Sequence, residues 1–277
     1  MPDTSSSRSF EATIDLAASR AAVWSAISSA AELRRWFAYD ASVEGGAGGE
    51  ITWSWKDLHT WPQKIEVWEP GKRLRTRYDS PVEDGKGARK PLFVDFLLEG
   101  EGGRTTLRLV HSGFGPEAAF DEEYDGIGRG WPVELRSLRL YLEHHLGQDR
   151  QLAWSTRGVE LEGSRVWQRL TGPDGLACGA GLDKLSEGQP FRFRTADGDE
   201  LAGTTLCCHE REFSGLAASH GNGFLRFTVD RCGGGLQVWV WLATYGQDPS
   251  PTRALQARWD AMLDRLFPAA VAAPRGA

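Results

Sequence analysis

The stretch IGRGWPVELRSLRLYLEHHL, residues 127–146, decides how the chain folds. Ile127, Trp131, Leu135, Leu138, Leu142 and Leu146 recur at steps of three and four, the period of one helical face. Glu134, Arg136, Arg139 and Glu143 fall off that stripe and are expected to face water. Pro132 interrupts the pattern. A proline inside a helix lacks a donor and clashes with the preceding turn, but the first turn accepts it. The regular helix is therefore expected to begin near Trp131, with 121–130 a looser approach. So heavy an apolar face must lie against another layer.

The preceding chain supplies a sheet. Phe10–Leu16 alternates apolar and polar residues, as a half-buried strand does. Ser19 can cap a helix carrying Val23, Trp24 and Ile27, and a second short helix carries Leu33, Trp36 and Phe37. Strands then follow one another. Ile51, Trp53 and Trp55 alternate with polar residues, as do Ile65 and Val67, and Leu74, Thr76 and Tyr78. Glu69-Pro70-Gly71-Lys72 reads as a turn. Residues 80–90 read as a loop, 92–99 as a strand, 100–103 as a hairpin turn and 105–112 as the return strand. Strand, two helices, a meander and one long helix make an α+β pattern.

This order resembles the START-like helix-grip superfamily, also called SRPBCC. The resemblance rests on Val23-Trp24 in the first helix, the Trp68-Glu69-Pro70-Gly71 turn, and the Gly130-Trp131-Pro132 start of the long helix. Within it, residues 10–146 are most similar to the domain named after the activator of the heat-shock-protein-90 ATPase. The resemblance implies a curved antiparallel sheet wrapped around the C-terminal helix, often with a ligand cavity between them. It also implies two other roles: a co-chaperone-like interaction module, and a cyclase- or hydrolase-type enzyme using His111 and Tyr78 as acid–base groups.

The second half repeats the first. FVDFLLEGEGGRTTLRLVHSGFG at 93–115 aligns without a gap with FLRFTVDRCGGGLQVWVWLATYG at 224–246. Val166-Trp167 echoes Val23-Trp24, and Trp259, Leu263 and Leu266 echo Trp131, Leu135 and Leu138. We therefore expect tandem helix-grip domains at 10–148 and 149–268, the second divergent, between disordered tails at 1–9 and 269–277.

Composition narrows the function. The chain has 277 residues and a net charge of −6, and the absence of a basic stripe argues against nucleic acid as a partner. No apolar run reaches the roughly twenty residues of a membrane span, and MPDTSSSRSF is no signal peptide, so a cytoplasmic protein is expected. The four cysteines have no metal-binding spacing, and no phosphate loop or dinucleotide fingerprint occurs, so neither metal nor cofactor is expected.

By strand alternation Trp53, Trp55, Tyr78, Phe96, Leu109 and His111 point inward, toward Trp131 and Leu135. These eight are the candidate ligand-binding residues for a small hydrophobic or aromatic molecule. A filled core would use the same residue types. The second copy has Leu242 where the first has His111, so it is expected to be mainly structural. Trp239 and Trp241 fall on the opposite face of the second sheet and are candidate interface residues, for a domain–domain or homodimer contact.

Overall fold

The computed structural model describes residues 7–56, 59–83, 87–178, 181–232 and 235–268. They form two compact units divided between Gln148 and Asp149. Residues 1–6 and 269–277 of the expected tails lie outside the described residues, while Arg8 and Ser9 already belong to the first strand.

Unit 1 runs β1 (Arg8–Leu16), α1 (Arg20–Ser28), α2 (Ala30–Trp36), β2 (Asp40–Glu44), β3 (Glu50–Trp55), β4 (His59–Glu69), β5 (Arg73–Glu83), β6 (Arg89–Glu99), β7 (Thr105–Phe114) and α3 (Asp121–His144). The sheet is antiparallel, in the order β1-β7-β6-β5-β4-β3-β2. Ser19 caps α1 by accepting from the Ala22 amide at 3.2 Å. The β4–β5 turn closes with Lys72 N–H donating to Glu69 O at 2.9 Å, and Gly71 supplies the positive φ (+70°) that it requires. Ile51, Trp53, Leu74, Thr76, Tyr78, Val94, Phe96, Leu107, Leu109 and His111 are all buried on one face. On the other face Asp95 is buried beneath Arg73 and Arg75, which donate to it at 2.7–2.9 Å.

Two expectations need correction here. Strands β5 and β6 extend into the stretch read as a loop, because their cross-strand pairing continues to Glu83↔Arg89. The long helix does not begin at Trp131: it spans Asp121–His144 with Pro132 inside it. Its early turns are fastened to the sheet by Arg8–Asp121 (2.6 Å), by Tyr124 Oη donating to Ser9 O (3.1 Å), and by the Phe114–Tyr124 ring contact. Gly126, Gly128 and Gly130 put no side chain beside the proline ring, and Asp121, Glu122 and Glu123 suit the positive end of the helix dipole. Leu146, the last residue of the predicted stripe, lies beyond the helix and is 52% exposed. The helix buries a second flank: Ser137 donates to Trp36 O at 2.8 Å, and Tyr141 bonds Glu32 of α2.

Unit 2 runs β8 (Arg150–Val159), α4 (Gly163–Thr171), β9 (Pro190–Arg194), β10 (Glu200–His209), β11 (Glu212–Ala217), β12 (Gly223–Cys232), β13 (Gly235–Tyr245) and α5 (Pro249–Leu266). Its sheet order, β8-β13-β12-β11-β10-β9, repeats that of unit 1 without its last strand. Among the described residues β2 and α2 have no counterpart there. The fold is thus a tandem of two helix-grip domains. Leu225, Phe227, Val240 and Leu242 pack with Trp259, Met262 and Leu263 in one apolar core.

Candidate functional site

The interior of unit 1 is built around Trp131. Its indole stacks on Phe37 (5.6 Å between centroids, 11° between planes) and meets Trp53, Phe96 and His111 edge-on at 6.4, 5.8 and 6.3 Å. Leu109 and Leu135 are buried behind these rings. Trp55 stands apart from Trp131, at the hairpin end of β3, where it contacts Phe37, His59 and Trp61 at 5.3, 4.8 and 5.5 Å. Trp61 in turn stacks on Tyr78 at 6.0 Å. The lining rings therefore close on one another, from half-buried Trp55, His59 and Trp61 at one end to Trp131 at the other.

A polar chain crosses this apolar interior. Trp131 Nε1–H donates to His111 Nδ1 at 3.0 Å, and His111 Nε2 lies 3.0 Å from Tyr78 Oη. An indole nitrogen only donates, so Nδ1 must carry the lone pair. Burial holds His111 at about 3, well below its ordinary 6.5, so the ring is neutral near pH 7 and its proton sits on Nε2. His111 then donates to Tyr78, and the tyrosine's own proton is left to point elsewhere. Burial, with the Glu123 charge added, pushes the Tyr78 phenol well above 10, so it stays protonated. Glu123, at the start of α3, accepts from Ser80 Oγ at 2.7 Å, and burial raises its carboxyl. This arrangement leaves His111 no free lone pair with which to take a proton.

Two further donors end in the same interior. Trp53 Nε1 and Gln63 Nε2 are sealed from solvent without a hydrogen-bond partner, on side chains 2% and 1% exposed. Gln63 Oε1 is occupied, accepting from Thr76 Oγ1 at 2.6 Å. Sequence reasoning missed Phe37, His59, Trp61 and Gln63. Phe37 sits at the end of α2, outside any strand alternation. His59, Trp61, Gln63 and Ile65 do alternate, but Pro62 and the charged neighbours obscure the strand.

Unit 2 differs at this point. Leu242 occupies the position of His111, and the indole Nε1 of Trp259, the counterpart of Trp131, is buried without a partner. Trp239 and Trp241 alternate with core residues Val238, Val240 and Leu242, which puts them on the sheet face opposite α5; both are half-buried. The Arg226 guanidinium lies 4.6 Å over the Trp241 ring and forms a buried double hydrogen bond with Glu212 (2.7 and 3.0 Å). A separate cleft of about 460 Å³ is lined by Arg169, Asp174, Ala196, Arg265 and Leu266. Among the described residues no group of three His, Cys, Asp or Glu side chains is placed to hold a metal ion, and no helix is long and apolar enough to cross a membrane.

A sheet gripping one long helix, with an aromatic interior, gives unit 1 a helix-grip fold of the SRPBCC type. Within that class, residues 17–143 match the family described as Activator of Hsp90 ATPase homolog 1-like protein. No curated protein matches. Among solved structures the chain is similar to the Aha1 dimer from Colwellia psychrerythraea, at 21% identity over 50% of this chain and 99% of that one, with a TM-score of 0.43. It is similar over most of its length to the di-domain ARO/CYC BexL from the BE-7585A biosynthetic pathway: 16% identity, 96% of this chain and 100% of that one, TM-score 0.42. A protein from Mesorhizobium loti, MLL2253, is 20% identical over 50% of this chain and 98% of that one, with a TM-score of 0.44.

Proposed function

We propose that unit 1 binds a small hydrophobic or aromatic molecule between its sheet and α3, with Trp53, Trp55, Tyr78, Phe96, Leu109, His111, Trp131 and Leu135 as lining, and that unit 2 is mainly structural. The observation that carries this reading is the Trp131–His111–Tyr78 chain. A domain that needed only a core could fill the position with leucine, as unit 2 does at Leu242. Buried polar networks are tolerated only when satisfied, and here the outermost hydroxyl keeps a proton to give. The same geometry argues against an acid–base reaction in which His111 is the base. Titration with the neutral fluorophore N-phenyl-1-naphthylamine tests the proposal. One molecule should bind per chain, with NMR shifts changing at Trp53, Trp61 and Tyr78. Absence of binding, or shifts confined to unit 2, would refute it.

A second reading, an interaction module, is supported by Trp239 and Trp241. Two neighbouring indoles on the sheet face away from the domain's own helix suit a contact between copies of the chain. Sedimentation velocity should then show a dimer that W239A/W241A converts to monomer; a monomeric wild type rejects it.

A further inference from the structure

Apart from the ligand site of unit 1, we infer that strand β9 of unit 2 is an acceptor edge for an extended acidic segment of a partner protein, which adds to the sheet as its seventh strand. Unit 1 closes its sheet with β2, paired antiparallel to β3. In unit 2 the equivalent of β3 is β9, and the sheet stops there. Thr195 N–H donates to Asp199 O at 2.9 Å, and Thr205 N–H to Gln189 O at 2.8 Å. Bonded pairs in an antiparallel ladder recur at every second residue, so Phe191 and Phe193 turn their backbone groups to β10, at Gly203 and Leu201. The N–H and C=O of Arg192 and Arg194, and the C=O of Pro190, then point away from the sheet. All three residues are exposed. The other edges are treated differently. At β1, Glu143 accepts from the Ala17 N–H at 2.9 Å and Arg139 donates to Asp15 O at 3.2 Å. At β8, Gln256 accepts from the Trp154 N–H, and at β2 Arg34 donates to Ala41 O at 2.8 Å. Among the described residues no side chain covers the edge of β9 in this way.

The side chains select the partner. Phe191 and Phe193 belong to the core, so Arg192 and Arg194 lie on the outer face of the sheet. Arg192 donates to Glu200 at 2.6 Å, while Arg194 has no ion pair among the described residues. Proline and charge on an edge are devices against self-pairing. They act so here: two β9 strands in full antiparallel register would set Arg192 against Arg192, and Arg194 against Pro190, which has no N–H. A second copy of β9 is therefore a poor occupant. The same arginines favour a strand that places Asp or Glu opposite them, with apolar residues between to extend the layer of Phe191 and Phe193. In unit 1 the strand at this position has that alternation: Asp40, Ser42 and Glu44 are exposed, Ala41 is buried and Val43 half-buried. In strand addition the main-chain bonds give affinity and the alternate side chains give specificity.

Fluorescence anisotropy on the full chain tests this with two labelled peptides, one alternating glutamate and valine, the other lysine and valine. The glutamate peptide should bind about tenfold or more tightly. R192E/R194E should reverse that preference. The backbone is tested on the wild-type chain. Residues opposite one another in a bonded pair share a face, so the glutamate amides of the peptide face β9 and the valine amides face away. N-methylation at glutamate should therefore weaken binding about tenfold or more, and N-methylation at valine less than about threefold. Added glutamate peptide should also slow hydrogen exchange at the Arg192 and Arg194 amides, read by NMR. Equal binding of the two peptides, equal effects of the two methylations, slowed exchange only outside β9, or no binding at about 1 mM peptide would each overturn the assignment.

Discussion

Replacing His111 with leucine, the residue that unit 2 carries at the same place, cuts the polar chain at its centre. The Trp131 N–H and the Tyr78 hydroxyl both lose their partner inside a sealed apolar interior. At about 1–3 kcal/mol per orphaned group, less what the added apolar contact returns, unit 1 should lose about 2–4 kcal/mol. The decisive quantity is how Tyr78→Phe behaves in each background. In the wild type it strands the His111 N–H and should cost about 1 kcal/mol. In the His111→Leu background it removes a hydroxyl that has no partner, and should stabilise by about 1 kcal/mol. The coupling between the two positions is then about 2 kcal/mol, with a reversal of sign. Native-state hydrogen exchange followed by mass spectrometry reads unit 1 separately from unit 2 within the intact chain. Equal effects of Tyr78→Phe in both backgrounds would refute the argument, since the hydroxyl would then owe nothing to the imidazole.

Other perturbations have defined outcomes. His111 takes its proton at about 3 when folded, against 6.5 ordinarily, so between those values the unfolded chain binds more protons and stability falls as pH falls. Its contribution is complete above about 6.5, and His111→Leu should flatten the decline of unit 1 stability between about pH 6 and 4 in urea titrations; His59, also lowered by burial, keeps some slope. Glu212→Gln leaves the buried Arg226 without its counter-charge and should destabilise unit 2 by about 3–5 kcal/mol, whereas R226M/E212L should cost much less, as chemical denaturation would record. Burial, with Cys208 beside it, pushes the Cys178 thiol up, so iodoacetamide at pH 8 should leave it unmodified until the chain unfolds, as peptide mass spectrometry would detect.

Much of the architecture was legible because it rests on local periodicity. The steps between Trp131, Leu135 and Leu138 give a helical face, and the gapless match of 93–115 with 224–246 gives the tandem; both reappear as equivalent strands and helices. The helix start was misread because Pro132 is a strong local signal. What outweighs it is tertiary, the attachment of Asp121 and Tyr124 to β1, and no local reading contains that. The site was half legible. Alternation puts His111 and Tyr78 on the same face but cannot say that Trp131 reaches His111 Nδ1, which is what fixes the proton. Phe37, the ring that stacks on Trp131, comes from the end of a short helix distant in sequence. Gln63 went unnoticed because a polar residue in a strand ordinarily faces water, and only its burial against Thr76 reveals it.

The most direct test of a ligand site in unit 1 is native mass spectrometry of the full chain purified from its own host under non-denaturing conditions. The account predicts a mass excess of one small neutral molecule per chain, released on unfolding. A chain that carries no small molecule and travels instead with a second protein would contradict it.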